Sequence, residues 1–135
     1  MGNFITISMD RKTQIGFFAI IFSLFSFTTT ENCKKEFKGK WKYNSMTKEQ
    51  MYVKRTLKKQ SEYVENGKYY YEFNIKWISN CKYELTYIGT TSPNPAAAKI
   101  GESFTVEIIE INDSIMKYKT VFRDIEDIGE MTKIK

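Results

Sequence analysis

Residues 69–88 read YYYEFNIKWISNCKYELTYI and alternate between apolar and polar side chains with a period of two. In the first half, one face carries Tyr69, Tyr71, Phe73, Ile75 and Trp77, and the other carries Tyr70, Glu72, Asn74 and Lys76. Ser79 and Asn80 interrupt the pattern before it resumes over residues 81–88. A strict two-residue period is typical of strands with one buried and one solvated face. The stretch therefore predicts two consecutive antiparallel strands.

The same period recurs on both sides of this pair. The further predicted strands cover residues 37–43, 51–56, 60–65, 103–111, 114–122 and 129–134. Asn66-Gly67 favours a type I′ hairpin turn, and residues 89–101, which hold both prolines, form the one long connection and a candidate mobile loop. The expected fold is all-β: an antiparallel up-and-down meander of about eight strands. It could be a closed barrel or a partly open sheet packed on itself.

A different pattern occupies the N-terminus. Arg11 and Lys12 precede thirteen residues without charge, 15–27, and small polar threonines follow at 28–30. A basic flank, a short apolar run and small residues are typical of a secretory signal, and the run is too short to cross a bilayer. We therefore predict a signal peptide over residues 1–30 and a mature β domain over residues 31–135, without a transmembrane span. The protein is expected to be exported: periplasmic, secreted or associated with the cell envelope.

The chain has two cysteines, Cys33 and Cys81, and both follow the predicted signal. In an oxidising compartment such a pair persists as a disulfide, which is our prediction here. A lipidated Cys33 is the competing interpretation, but Asn32 and Glu31 are poor matches to a lipidation motif. Two cysteines without histidine supply only half of a tetrahedral zinc shell, so no metal site is predicted.

The chain contains no histidine, which removes imidazole acid–base chemistry and histidine-activated nucleophiles. The Asp and Glu residues fall on alternating strand positions that are expected to face solvent, and no spacing among them identifies an acid–base pair. The net charge is +5, and most lysines alternate with apolar residues on the predicted strands. We predict no enzymatic activity, no catalytic residue, no cofactor and no nucleic-acid partner.

Two family resemblances rest on specific residues. Gly39-Lys40-Trp41 resembles the Gly-x-Trp signature of lipocalins and fatty-acid-binding proteins, in which the tryptophan closes one end of the barrel. The lipocalin arginine that stacks over this tryptophan would be Arg123. A longer pattern is similar to small exported lipocalin-like proteins of the flavobacterial type; it comprises Asn32-Cys33, Phe37, Gly39, Arg55, Gln60, Glu62 and the run 76–85. This resemblance implies fold and export but no activity.

The leading hypothesis is a non-enzymatic barrel protein that binds a small apolar or amphiphilic ligand. Its candidate ligand-binding residues are Trp41, Arg55, Gln60, Glu62, Tyr71, Phe73, Trp77 and Tyr83. The same aromatic residues could instead fill the interior as a packed core. A structural or protein-interaction module of the cell envelope is the alternative function, and an exported hydrolase using carboxylates alone is a third. An enclosed cavity of at least about 300 Å³ would favour the ligand-binding hypothesis.

Overall fold

The computed structural model describes residues 32–135, which form a closed barrel of eight antiparallel strands in chain order. A short helix, α1 (Lys34–Phe37), precedes the barrel. The strands are β1 (Gly39–Tyr43), β2 (Met51–Arg55), β3 (Lys59–Val64), β4 (Tyr69–Ser79), β5 (Lys82–Thr90), β6 (Ser103–Ile111), β7 (Ile115–Phe122) and β8 (Ile125–Ile134). The predicted all-β meander is confirmed, and it is a closed barrel. The predicted signal over residues 1–30 lies outside the described residues.

Closure leaves no free sheet edge, because β8 pairs with β1 from Lys40↔Ile134 to Tyr43↔Met131. The two-residue period sorts side chains between the interior and the surface, as on β4, where Phe73 is buried and Asn74 is exposed. We call the barrel end that carries α1 and the β2–β3, β4–β5 and β6–β7 connections the closed end. The opposite end, formed by residues 44–50, 65–68, 91–102 and 123–124, is the open end.

A plug of aromatic side chains fills the closed end. Phe37 at the end of α1 is fully buried, and its ring meets Trp77 and Tyr83 edge-on at centroid distances of 4.8 and 5.0 Å. Trp41 is also fully buried and donates its indole N–H to the Phe37 carbonyl over 3.0 Å. This bond satisfies the one polar atom of a large ring in the core. Helix α1 and the two tryptophans therefore form a solid floor.

The predicted disulfide is present and belongs to this floor. Cys33 and Cys81 are bonded across a sequence separation of 48 residues, with their Cα atoms 5.1 Å apart. The bridge joins the residue before α1 to the β4–β5 connection, so it fixes α1, and with it the floor, to the barrel wall. It also uses the Cys33 sulfur, which excludes a thioether-linked lipid on that atom.

Most strand ends lie within two residues of the sequence-based expectations, and three differences have a structural cause. Phe37 belongs to α1 and not to the first strand, because it packs into the barrel end and not along its wall. The β3–β4 connection is centred on Asn66-Gly67 as predicted, but it is a four-residue loop over residues 65–68 and not a two-residue turn; Glu65, Asn66 and Gly67 have φ angles of 50°, 60° and 84°. Strand β8 begins at Ile125 and not at residue 129. In the part of the chain that the structure describes, no helix combines the length and apolarity needed to cross a membrane.

Candidate functional site

Above the floor, the barrel interior is not filled. A cavity of about 360 Å³ occupies its middle, and a second space of about 500 Å³ lies beneath residues 95–98 of the loop at the open end. The two spaces share five lining residues: Glu62, Phe73, Phe104, Thr120 and Phe122. They are therefore adjoining parts of one interior space that extends from the floor to the open end.

The lining of the inner cavity divides into two walls. The apolar wall comes mostly from β4 to β7 and includes Phe73, Leu85, Phe104, Val106 and Phe122. The polar wall comes mostly from β1 to β3 together with β7 and β8, and includes Tyr43, Arg55, Gln60, Glu62, Tyr118 and Asp127. Tyr83 on β5 and Thr120 on β7 add hydroxyls to the lining, and Ile125 on β8 adds an apolar side chain. Because most of each wall comes from neighbouring strands, the asymmetry follows largely from strand order. A cavity of this kind suits a ligand that is apolar on one side and polar on the other.

Arg55 is the buried charge at the base of the polar wall, with only 6% of its surface exposed. Its Nε donates to Gln60 Oε1 over 2.9 Å, and its terminal nitrogens reach the Tyr83 hydroxyl and the sulfurs of Met116 and Met131. The guanidinium also lies over the Phe37 ring, 4.6 Å from its centroid. None of the ion pairs among residues 32–135 involves Arg55. Arg55 is thus held by the floor and by Gln60.

Glu62 carries the carboxylate that faces the cavity from β3. Its Oε2 accepts hydrogen bonds from Gln60 Nε2 over 2.8 Å and from the Tyr43 hydroxyl over 3.1 Å. Gln60 thereby links Arg55 to Glu62, so the two charges interact through an amide and not by direct contact. Burial raises the pKa of Glu62, although the bonds from Gln60 and Tyr43 and the charge of Arg55 oppose the shift. The expectation that the carboxylates face solvent is wrong at Glu62.

Three tyrosines, Tyr43, Tyr83 and Tyr118, lie near Arg55 and Glu62, and burial raises the pKa of each hydroxyl. Burial and the nearby Glu62 charge raise the pKa of Tyr43 well above its ordinary value. Burial likewise raises the pKa of Tyr83, and it raises the pKa of Tyr118 to about 12. At neutral pH each hydroxyl can therefore both donate and accept hydrogen bonds.

Gly129 makes room for Tyr118. The two residues face each other on β7 and β8, and a Cβ atom at position 129 would collide with the Tyr118 ring and hydroxyl. A glycine here lets the tyrosine ring lie close against the neighbouring backbone. The position of the Tyr118 hydroxyl in the polar wall therefore depends on the absence of a side chain at Gly129.

The loop 91–102 covers part of the open end and is tied down at two points. The Tyr71 hydroxyl donates to the Asn94 carbonyl over 2.9 Å. Arg123 donates two hydrogen bonds to the Glu102 carboxylate, of 2.7 and 2.6 Å, and a third to the Ala97 carbonyl. The bond from Arg123 is the largest contribution that lowers the pKa of Glu102, to about 2. This loop, expected to be mobile, is held by specific bonds over its alanines.

The same contacts correct the expectation that Arg123 stacks over Trp41. Arg123 lies over the Phe122 ring at the open end, 4.5 Å from its centroid. The cations near Trp41 are Lys133, with its Nζ 5.0 Å from the ring centroid, and Arg55, at 5.9 Å. Lys133 also donates to the Glu36 carbonyl, so it closes the floor from the side of α1.

The eight residues named as ligand-binding candidates fall into two groups. Those that line the interior space are Arg55, Gln60, Glu62, Tyr71, Phe73 and Tyr83. Trp41 and Trp77 belong to the floor; Trp77 donates its indole N–H to the Leu57 carbonyl over 3.0 Å. Sequence reasoning missed Tyr43, Tyr118 and Asp127 in the polar wall. The apolar run Pro95 to Ala98 was the one available sign that the long loop packs against something.

We expect Glu62→Gln to stabilise the fold at neutral pH. A carboxyl whose pKa is raised on folding favours the folded state when protonated, and this contribution is lost as pH rises from 4.5 through the folded-state pKa. The variant keeps an oxygen that accepts from Gln60 and Tyr43 but never carries the charge. Urea unfolding at pH 7 should show a gain over the wild type that disappears below about pH 4.5. Glu84→Gln, at an outward position of β5, is the control; a loss of stability in Glu62→Gln at pH 7 would contradict this interpretation.

The geometry defines a class: a closed eight-stranded meander barrel with a two-sided internal cavity and one plugged end. No protein-family model, no curated protein and no solved structure matches the chain. Within residues 32–135, no group of three His, Cys, Asp or Glu side chains lies close enough together to hold a metal ion.

Proposed function

We propose that the protein is an exported, non-enzymatic, lipocalin-like binding protein that holds a small amphiphilic ligand inside its barrel. The observation that carries the proposal is the cavity of about 360 Å³, in which an apolar wall faces a polar wall. Its volume lies within the range of small-molecule sites, which begins at about 300 Å³. A ligand with one apolar part and one polar group would match both walls.

The distribution of the large aromatic side chains supports the proposal against a wholly packed interior. Phe37, Trp41 and Trp77 gather at the closed end, where they close the floor. Above them, Phe73 and Phe104 stand against the wall, in T-shaped contact at 5.9 Å, and leave the centre of the barrel open. The packed aromatic core therefore lies at the closed end, below the cavity, and leaves the space above it available to a ligand.

Export is the part of the proposal that rests on the disulfide and on the N-terminal sequence pattern. A bridge between Cys33 and Cys81 persists in oxidising compartments and is rare where thiols are kept reduced. N-terminal sequencing of protein recovered outside the cytoplasm should begin near residue 31. A mature chain that begins at residue 1 would contradict export by signal cleavage.

Isothermal titration calorimetry with decan-1-ol tests the binding function. We expect one molecule bound per barrel, with a negative heat-capacity change when the titration is repeated at two temperatures, because apolar surface is buried. Several weak sites, or no saturable heat at either temperature, would contradict the proposal. The neutral alcohol is chosen because it probes the cavity without testing the charge of the ligand.

One observation favours the second candidate, a protein-interaction module of the cell envelope. Tyr52, Tyr63 and Tyr70 stand side by side on β2, β3 and β4 at outward positions, with centroid distances of 5.0 and 5.4 Å. Lys40 and Lys54 lie over two of these rings. If this surface binds an envelope protein, Tyr63→Ser should abolish a cross-link formed in intact cells and leave decan-1-ol binding unchanged. An unchanged cross-linking pattern would exclude this face as the interface.

A further inference from the structure

The charged residues of the polar wall determine which ligand charge the cavity can bind. Its charged members are Arg55, Glu62 and Asp127, of opposite signs and unequal accessibility. Which of them still has an unused hydrogen-bonding atom decides what kind of polar group the site can take. The inference below rests on the proposed function and specifies its ligand.

Most hydrogen-bond donors of Arg55 are already used, so few are available to an anionic ligand. Four of its contacts are already made: to Gln60, to Tyr83 and to two methionine sulfurs. The guanidinium is pressed against the Phe37 ring, and its side chain is almost completely buried. A ligand carboxylate would need to displace Gln60 or the floor, and it would have to pass Glu62 on the way. Both steps oppose the entry of a negative group.

Glu62, in contrast, has one carboxylate oxygen, Oε1, that accepts no hydrogen bond from another described residue. Both of its hydrogen bonds end on Oε2, and no bond among the described residues ends on Oε1. Every buried side-chain nitrogen or oxygen in residues 32–135 has a hydrogen-bond partner, so Oε1 must be an atom that the cavity leaves open to solvent. No cation lies within ion-pair distance of Glu62 in this part of the chain. The carboxylate thus presents an unpaired oxygen to the cavity.

Further acceptors lie on the same wall. The Tyr118 hydroxyl makes no hydrogen bond to another described residue, and it lines the same cavity as Glu62 and Asp127. The Tyr43 hydroxyl donates its proton to Glu62, which leaves its oxygen lone pairs able to accept. An ammonium group has three donors and no acceptor, so it is the complement of this set. Aromatic faces beside it add a cation–π attraction.

The charges that line the inner cavity favour the same conclusion. Glu62 and Asp127 are its two acidic lining residues, and Arg55 is its one basic lining residue. Asp127 makes no ion pair with another described residue. A site with an excess of carboxylates attracts cations and repels anions.

We infer that the ligand is a cationic amphiphile, an apolar chain or ring bearing an amine, and that Glu62 binds its ammonium group. The apolar part lies against Phe73, Phe104 and Phe122, and the charged group lies against Glu62, with Tyr118 and Asp127 as further acceptors. The polar wall therefore selects the ligand by charge, and the apolar wall selects it by shape and size.

A series of three ligands with the same chain tests the inference at pH 7: decylamine, decan-1-ol and decanoate. The amine is then protonated and the acid ionised. We expect decylamine to bind about tenfold or more tightly than decan-1-ol, as close charge pairs do when sheltered from solvent, and decanoate to bind more weakly than the alcohol. Glu62→Gln should remove the advantage of the amine, so that decylamine and decan-1-ol then bind with similar affinities. Glu84→Gln, on the outer face, should keep the wild-type ratio of the two affinities.

Each contrary outcome has a distinct meaning. If decan-1-ol binds but decylamine binds no better, the inference is wrong and the proposed function stands. If none of the three binds, the proposed function fails as well. If decanoate binds most tightly, the charged partner is Arg55 and the inference is overturned. A preference for the amine that survives in Glu62→Gln would show that Glu62 is not its partner.

Discussion

The double variant Cys33→Ala/Cys81→Ala will lose about 4 kcal/mol of unfolding free energy relative to the wild type. The bridge closes a loop of 48 residues, and cross-linking a loop of that length removes much of the conformational freedom of the unfolded chain. It also fixes α1 in place, and α1 delivers Phe37 to the floor. A small domain has a total stability of about 5–15 kcal/mol, so the loss is a large fraction of it.

Urea unfolding of the oxidised wild type, the double variant and the reduced wild type measures this effect. The double variant and the reduced protein should unfold at similar, much lower urea concentrations. A loss below about 1 kcal/mol would mean that the floor holds without the bridge, and α1 would then be fixed by packing alone.

Trp41→Ala will cost about 3–5 kcal/mol, the loss typical of truncating a fully buried tryptophan. The indole fills the space under α1, and its N–H satisfies the Phe37 carbonyl. The variant leaves both a cavity and a buried carbonyl without its partner, and the second loss adds to the first.

Trp77→Ala is the matched control for Trp41→Ala, since the two rings share the floor but Trp77 is only half-buried. Its loss should be clearly smaller when both variants are unfolded in urea. Equal losses would show that the buried fraction of the side chain does not determine the loss of unfolding free energy at these two positions. A larger loss for Trp77→Ala would contradict the described packing of the floor. Both variants should retain decan-1-ol binding while folded, because neither ring lines the cavity.

The sequence predicted the fold well where the two-residue period was strong. The alternation over β4 and β5 placed Phe73 and Tyr83 inward, and the structure has them there. The meander order and the disulfide were also predicted, because short regular spacing and a lone cysteine pair each leave few alternatives. Closure of the barrel was one of two options, since no local pattern tells an edge strand from one that pairs with the far end of the chain.

The turns and the helix were predicted less well. Arg123 and Asp124 form the two-residue turn between β7 and β8, with φ angles of 51° and 66°. Neither a glycine nor an asparagine marks that site, so the start of β8 was misplaced by four residues. Phe37 continued the alternation of β1, and only its burial in the barrel end reveals the helical turn.

The site was predicted only in part, because contacts between strands are not visible in the local sequence pattern. Arg55, Gln60 and Glu62 were named from the sequence, but their order of contact was not: Gln60 connects the two charges, which depends on the register of β2 with β3. Tyr43 and Tyr118 join the polar wall only because β1 and β7 both border β8 in the closed barrel. Such neighbours are set by closure, and no spacing along the chain encodes them.

Binding of decan-1-ol to two threonine-to-phenylalanine variants tests the central claim most directly. Thr120 on β7 lines both parts of the interior space, so a phenylalanine there fills the proposed site. Thr105 on β6 lies between the inward Phe104 and Val106, at an outward position, and gives the matched control. Calorimetry should show that Thr120→Phe abolishes binding and that Thr105→Phe binds like the wild type. Wild-type binding by a folded Thr120→Phe would place the ligand outside the barrel and contradict the account.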